Sequence, residues 1–275
     1  MRAGIKVLRR LLGFVIVLSV TAPAFGQTPL PGLATIHSIG VISALGDRAE
    51  IDYVGAMVFG NRLTYLPISD WRLDELAGVE AAKVLADRFS VKQISADPPM
   101  FANVHASMFK SEAKSLGEAM RPLTPSDVDA YLVILPTTEP LPYPSNQSIS
   151  GIGVYRQWPG IGGADFSLHT GEAIVHLTYV VYLMDAKTGR TIGGRPGATP
   201  ATEKQSLTAK LLLVRPLSSP HAYTRDDSWP TTATALTEAQ TATLHDDLVD
   251  LVKTSVGYTV GQMGLAAGAT RSPGG

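Results

Sequence analysis

The 275-residue chain contains no cysteine. It can therefore form no disulfide bond, it offers no thiol for nucleophilic or metal chemistry, and it lacks the side chain that carries bacterial lipid anchors. The folded protein has to be held together by its hydrophobic core alone.

Basic residues are also few, with 23 lysines and arginines against 24 aspartates and glutamates. Four of the bases, Arg2, Lys6, Arg9 and Arg10, lie within the first ten residues, and removing these four from the 23 leaves 19 bases against 24 acids. No run of bases is interleaved with aromatic residues. Because a mildly acidic surface does not attract phosphate backbones, we predict no nucleic-acid binding.

Several motifs of catalysis and nucleotide binding are missing. The chain has no Gly-x-Ser-x-Gly elbow, no Gly-x-Gly-x-x-Gly loop and no phosphate loop ending in Gly-Lys-Ser or Gly-Lys-Thr. Of its six histidines, the closest pair, His169 and His176, is not at the spacing of metal ligands. We therefore predict no catalytic residue, no cofactor and no metal, with a zinc site assembled from distant histidines as the alternative.

The first 26 residues have the pattern of a secretory signal peptide. The four bases precede a mostly apolar run, Leu11–Val20, and a small-residue stretch, Ala22–Gly26. This order predicts cleavage before Gln27 and a periplasmic mature protein. The alternative is an uncleaved anchor helix, but a bilayer span needs about 20 apolar residues and Pro23 interrupts this run early.

The remaining chain is long enough to bury a sizeable core, and its composition divides it into four parts. Residues 27–35, broken by proline and glycine, predict a flexible tether, and residues 36–265 predict a single domain. Within that domain, residues 136–171 form a long region rich in proline, glycine and aromatic residues. Residues 266–275 predict a disordered tail.

Hydrophobic periodicity predicts strands and helices in the domain. The predicted strands are Ile36–Leu45, Tyr53–Phe59, Arg62–Ile68, Phe89–Ser95, Asp129–Pro136, Ile152–Trp158, Glu172–Met184 and an edge strand at Ala209–Val214. Three helices are predicted at Leu73–Phe89, Phe101–Met120 and Thr237–Met263, the first capped by Ser69 or Asp70 and the last by a Thr237-x-x-Gln240 capping box. The expected fold class is α/β (α+β), a mixed β-sheet with three main helices packed on it.

One triplet raises the possibility of acyl-transfer chemistry. Lys187-Thr188-Gly189 and an upstream Ser111-x-x-Lys114 match two motifs of serine β-lactamases and penicillin-binding proteins. We interpret Asp185–Arg190 instead as a hairpin turn, because aspartate can bond to its own following backbone and glycine can adopt positive φ. The acyl-enzyme alternative requires the triplet to lie along a strand.

Two stretches carry a resemblance to known proteins. The segments "SIGVISALGD", "VGAMVFGN" and "PISDWRLDEL" resemble a family of uncharacterised secreted bacterial proteins. The later "VHLTYVVYLMDAKTGRTI" is similar to the strand-turn-strand of periplasmic α/β domains of the curli-secretion lipoprotein, penicillin-binding-protein activator and TolB N-terminal type. This resemblance implies a mixed sheet with helices that works by protein contact in the cell envelope. Those lipoproteins carry an acylated cysteine, which this chain lacks.

Four residues are candidate binding residues. Asp47 follows the first predicted strand, and the carboxyl ends of strands are where open α/β sheets bind ligands, although Gly46-Asp47 can also serve only to turn the chain. Three aromatic residues of the 136–171 region predict an exposed contact surface, with burial under the loop as the alternative; they are Tyr143, Trp158 and Phe166.

Together these features predict a non-catalytic periplasmic protein that acts through protein or ligand contacts, with another cell-envelope protein as its partner and no transmembrane span after signal cleavage. The alternative is a secreted hydrolase whose site is assembled from scattered residues. The sequence does not indicate an oligomeric state.

Overall fold

The structure is a computed structural model, and it describes eleven parts of the chain. These are residues 30, 32–55, 58–95, 98–101, 104, 112–123, 127–141, 147–157, 173–211, 217–224 and 229–266. The predicted signal peptide and most of the predicted tail lie outside the described residues. Of the predicted tether, Leu30 and residues 32–35 are described, and Leu33 is buried.

The described residues form one mixed β-sheet with α-helices packed on it, which confirms the predicted fold class. The strands are β1 (Ser38–Ser43), β2 (Arg48–Val54), β3 (Arg62–Pro67), β4 (Ser90–Gln93), β5 (Ala130–Pro136), β6 (Thr138–Pro140), β7 (Ser148–Gln157), β8 (Ala173–Asp185), β9 (Thr191–Pro196) and β10 (His221–Thr224). The helices are α1 (Leu73–Leu85), α2 (Glu112–Ala119), α3 (Pro200–Leu211) and α4 (Glu238–Gln262). The described residues thus contain four helices, one more than predicted.

Strand β8 is the centre of the sheet because it is long enough to pair with two strands along each edge. Its residue His176 pairs with both β7 and β10, and Val180 pairs with both β5 and β9. Just after β5, the Thr137 N–H donates to the Thr178 carbonyl at 3.0 Å. Strands β5 and β7 therefore follow one another along the same edge of β8, and β9 and β10 share the other edge.

The next two strands of the sheet, β1 and β2, repeat this end-to-end arrangement. Strand β1 pairs in parallel with β5, and β2 pairs in parallel with β7. The chain between β1 and β2, residues 44–47, consequently lies beside the point where β5 ends and β7 begins. The Asp74 carboxylate at the start of α1 fixes this connection, since it accepts hydrogen bonds from Ser43 Oγ at 2.7 Å and Leu45 N at 2.6 Å.

Helices α1 and α4 cover one face of the sheet. The predicted alternation of β8 is confirmed, since its odd-numbered residues from Ala173 to Leu183 all lie in this core. The helices contribute Leu73, Ala77, Ala81 and Leu85 from α1 and Leu244, Leu248, Val252 and Val256 from α4. Gly257 of α4 faces α1, with Val84 nearest. On the other face, Leu116 of α2 joins a second buried cluster with residues of β5 and β8.

Three predicted strands differ from the structure by more than two residues. The strand predicted at Ile152–Trp158 is β7, which begins earlier, at Ser148. The strand predicted at Tyr53–Phe59 is β2, which begins and ends earlier, because Ala49 and Ile51 supply the buried positions. The edge strand predicted at Ala209–Val214 is wrong for residues 209–211, which belong to α3. Helix α3 starts at Pro200 after a reciprocal cap: Thr199 Oγ1 accepts from Thr202 N at 3.1 Å, and Thr202 Oγ1 accepts from Thr199 N at 2.9 Å.

Of the two predicted helix caps, one is present and one is wrong. The Thr237–Gln240 capping box is present at the start of α4. The predicted cap of α1 is wrong, because Ser69 and Asp70 form a 3₁₀ turn and Arg72, at φ 53°, takes the cap position without a side-chain hydrogen bond. The helix predicted at Phe101–Met120 is wrong at its start, because Phe101 ends a 3₁₀ turn, Pro98–Phe101, and Val104 belongs to no helix. Its described later part is α2, from Glu112 to Ala119.

Candidate functional site

A cavity of about 340 Å³ opens where the tandem strands are interrupted, and we call it the strand-junction cavity. One part of its lining is apolar and comprises Phe101, Val104, Leu135, Pro136 and Ile152. The polar part comprises Asp47, Arg48, Glu50 and Ser150. Concave sites of this size that combine an apolar wall with a few polar groups are typical of small-molecule and side-chain recognition.

One acidic lining residue, Glu50, is partly desolvated, and so is its neighbour Asp52 on β2. Glu50 and Asp52 are half-buried, and burial raises the pKa of both carboxyl groups. The negative charge of Asp52 raises the pKa of Glu50 further, while Arg48 lowers it. A ligand group that donates hydrogen bonds or carries positive charge would compensate the desolvated Glu50 carboxylate.

Asp47 lies at its predicted position in the connection that follows β1, and it lines the strand-junction cavity. It is exposed, and its carbonyl accepts a hydrogen bond from Ile68 N at 2.8 Å, so the residue also turns the chain. The three predicted aromatic residues, Tyr143, Trp158 and Phe166, lie outside the described residues. Two other residues of the same region, Leu141 and Tyr155, are buried in a small cluster.

A second cavity, of about 510 Å³, lies between α2 and the turn that joins β8 to β9, and we call it the basic cavity. Four cationic side chains line it, namely Lys114, Arg121, Lys187 and Arg190. Glu118 is its one acidic lining residue. Thr191 also lines the cavity, and its Oγ1 is buried without a hydrogen-bond partner.

The turn beside the basic cavity has the predicted hairpin geometry. The Asp185 carboxylate accepts from Lys187 N at 3.0 Å, Thr188 N at 2.7 Å and Thr188 Oγ1 at 2.8 Å, which lowers its pKa. Gly189 has φ 65°. Its carbonyl approaches Gly117 of α2 so closely that a Cβ there would be 2.8 Å from the oxygen.

This geometry bears on the acyl-enzyme alternative. Lys114 and the triplet Lys187–Gly189 do line one cavity, but the triplet lies in a turn rather than along a strand. Ser111 lies outside the described residues. Sequence analysis missed the basic cavity because α2 and the turn are about 70 residues apart and each contributes only isolated charges.

A buried histidine lies behind the strand-junction cavity. His176 of β8 is 1% exposed and pairs directly across the strands with His221 of β10. Burial lowers the pKa of His176 to about 4, against the opposing effect of a hydrogen bond with the backbone of Gly151, a residue that lines the cavity. His176 is therefore neutral in the folded protein near neutral pH.

Among the described residues, no group of three or more histidines and carboxylates is placed to hold a metal ion. None of the helices in the described part of the chain combines the length and the apolar character that a membrane crossing requires.

Searches against protein-family models and curated proteins found no match to this chain. Among solved structures, the chain is similar to the crystal structure of protein XCC0632 from Xanthomonas campestris, of the DUF330 family. The TM-score is 0.35 and the sequence identity 10%, over 87% of this chain and 89% of that chain. Similarity of this degree does not establish a common fold, so no property of that protein is inferred for this chain.

Proposed function

We propose that the protein is exported to the periplasm and acts there without catalysis, by binding a ligand or a side chain of another envelope protein in the strand-junction cavity. The observation that carries the proposal is the composition of this cavity, an apolar wall next to the half-buried Glu50 carboxylate. Export is supported by the order of basic, apolar and small residues in the first 26 positions.

The same composition limits the chemistry of the bound group. The apolar wall gains free energy by burying an apolar group, at about 25 cal/mol for each Å² removed from water. Glu50 pays a desolvation cost in the empty cavity, which a cation or hydrogen-bond donor would offset. An apolar group with an amine or guanidinium at its end, such as an amphipathic amine or a lysine or arginine side chain, fits both requirements.

A fluorescent probe that combines an apolar ring with a primary amine, such as dansylcadaverine, tests this binding mode. We expect the probe to gain fluorescence on binding, and we expect the double variant Asp47→Asn/Glu50→Gln to bind it several-fold more weakly. Asp87→Asn/Asp250→Asn is the matched control, because it also removes two carboxylates and both residues are exposed and do not line the cavity. No fluorescence change with the wild-type protein, or equal loss in the control, would refute the proposed mode.

Export is tested separately by intact-mass measurement of protein from the periplasmic fraction. A mature chain that starts near Gln27 is expected. Recovery of protein that retains Met1, or recovery only in membranes, would contradict this part of the proposal.

A secreted hydrolase is the second candidate function, and one observation favours it. Glu50 and Asp52 are two residues apart on β2, so their side chains share a face about 7 Å apart, and both have raised pKa values. Pairs of carboxyl groups at such separations act as acid and base in glycoside hydrolysis. Hydrolysis of chromogenic glycosides by the wild-type protein, abolished by Glu50→Gln and retained by Asp250→Asn, would establish this function in place of simple binding.

A further inference from the structure

The basic cavity concentrates positive charge in a chain that is otherwise slightly acidic. Four of the chain's 23 lysines and arginines line it against one carboxylate, Glu118, although the formal net charge of the whole chain is −1. Lys187 and Arg190 form no ion pair with a carboxylate of the described residues. An anion that enters the cavity would be attracted by these two side chains.

The lining also provides the groups that bind phosphate oxygens. An arginine guanidinium presents parallel N–H donors that match two oxygens of a phosphate, and lysine adds a mobile point charge. The Thr191 hydroxyl is a buried polar group that lacks a hydrogen-bond partner, which is uncommon in folded proteins. A volume of about 510 Å³ accommodates a ligand larger than a single inorganic ion.

From this arrangement we propose that the basic cavity binds a ligand that contains a phosphate group and carries at least two negative charges in total. A monocarboxylate carries a single charge, whereas a diphosphate or a phosphate ester with a second acidic group can pair with both Lys187 and Arg190. The site is independent of the strand-junction cavity, because the two share no lining residue.

Calorimetric titration of the mature protein with inorganic pyrophosphate at low ionic strength tests the site. The test variant is Lys187→Gln/Arg190→Gln, which removes two charges from exposed positions and leaves the hairpin turn intact. The matched control is Arg62→Gln/Lys253→Gln, which removes the same two charges from exposed positions of β3 and α4. We expect the test variant to raise the Kd for pyrophosphate by about tenfold or more, while the control stays within about twofold.

Two further arms identify the source of the phosphate. Sedimentation with vesicles that contain cardiolipin, whose headgroup carries two phosphates, but not with vesicles of phosphatidylcholine alone, would assign the site to an anionic lipid headgroup if the test variant loses this binding. Binding of pyrophosphate without sedimentation would assign it to a soluble phosphate compound. The proposal is overturned if the wild-type protein binds neither probe, or if the control double variant loses as much affinity as the test variant.

Discussion

His176 makes the stability of the fold depend on pH in a way that can be calculated. In an unfolded chain the pKa of histidine is about 6.5. In the folded protein burial lowers the pKa of His176 to about 4. Between these two values the unfolded chain binds a proton at this position and the folded protein does not, so acid favours unfolding. Above about pH 6.5 neither state is protonated, and the contribution of His176 to stability is constant.

The size of the effect follows from the separation of the two pKa values. Each pH unit within the window contributes about 1.4 kcal/mol, so the free energy of unfolding should fall by about 3 kcal/mol from pH 6.5 to pH 4 on account of His176 alone. His221 adds to the same trend, because burial lowers its pKa as well. Glu50 and Asp52 act in the opposite direction, because their raised pKa values favour the folded state as the pH falls.

A neutral substitution separates His176 from these other groups. Urea unfolding of the wild-type protein and of His176→Gln, followed by tryptophan fluorescence, to which the buried Trp229 contributes, should be measured at several pH values between about 4 and 7.5. We expect the variant to be less stable at neutral pH, because it loses packing in the core. The difference between the two proteins should then shrink by about 3 kcal/mol as the pH approaches 4. Stability curves that stay parallel across this range would refute the assignment of a neutral, buried His176.

Three more predictions follow from the turn, the last helix and the loop region. Gly189→Val should lower the free energy of unfolding by about 1 kcal/mol or more, because a β-branched residue is strained at φ 65°, whereas Lys187→Ala should leave it nearly unchanged; urea unfolding that shows equal effects would contradict the turn assignment. Thr237→Ala should cost about 1 kcal/mol in the same assay through loss of the capping box, and no measurable change would mean that the cap does not stabilise α4. The last prediction concerns the aromatic residues expected to contact an envelope partner, Tyr143, Trp158 and Phe166. Their simultaneous replacement by serine should abolish co-purification of partners without changing the melting temperature, and a melting temperature lower by many degrees would assign them to the core.

The sequence predicted the central part of the fold because that part depends on local alternation. Strand β8 has 13 residues that are mostly apolar on both faces, and a run of this length and composition predicts a central strand. Strand β2 was misplaced because its buried face uses the small Ala49 next to charged neighbours. Helix α3 was missed because its composition is polar, although a Thr-Pro start followed by a second threonine at the capping distance was a usable signal.

Only part of the candidate site could be predicted, because its lining residues come from elements that are far apart in the sequence. Asp47 was chosen because it follows the first predicted strand, and it does line the strand-junction cavity. Its neighbour in that cavity, Glu50, was not chosen, because its burial depends on how β2 packs beside β7. The basic cavity could not be predicted, since Lys114 and Arg190 are brought together only by the contact between α2 and the turn after β8.

The position of β8 along the chain has a consequence for the order of folding. Strands β5 and β7 pair with β8, and strands β1 and β2 join the sheet through them, yet β8 begins only at residue 173. A nascent chain that has emerged only up to β7 therefore lacks the strand on which both halves of the sheet assemble. Most pairings must also close over long sequence separations, which is typical of slow folding. Until β8 has been released, the growing chain should remain a substrate for chaperones and proteases.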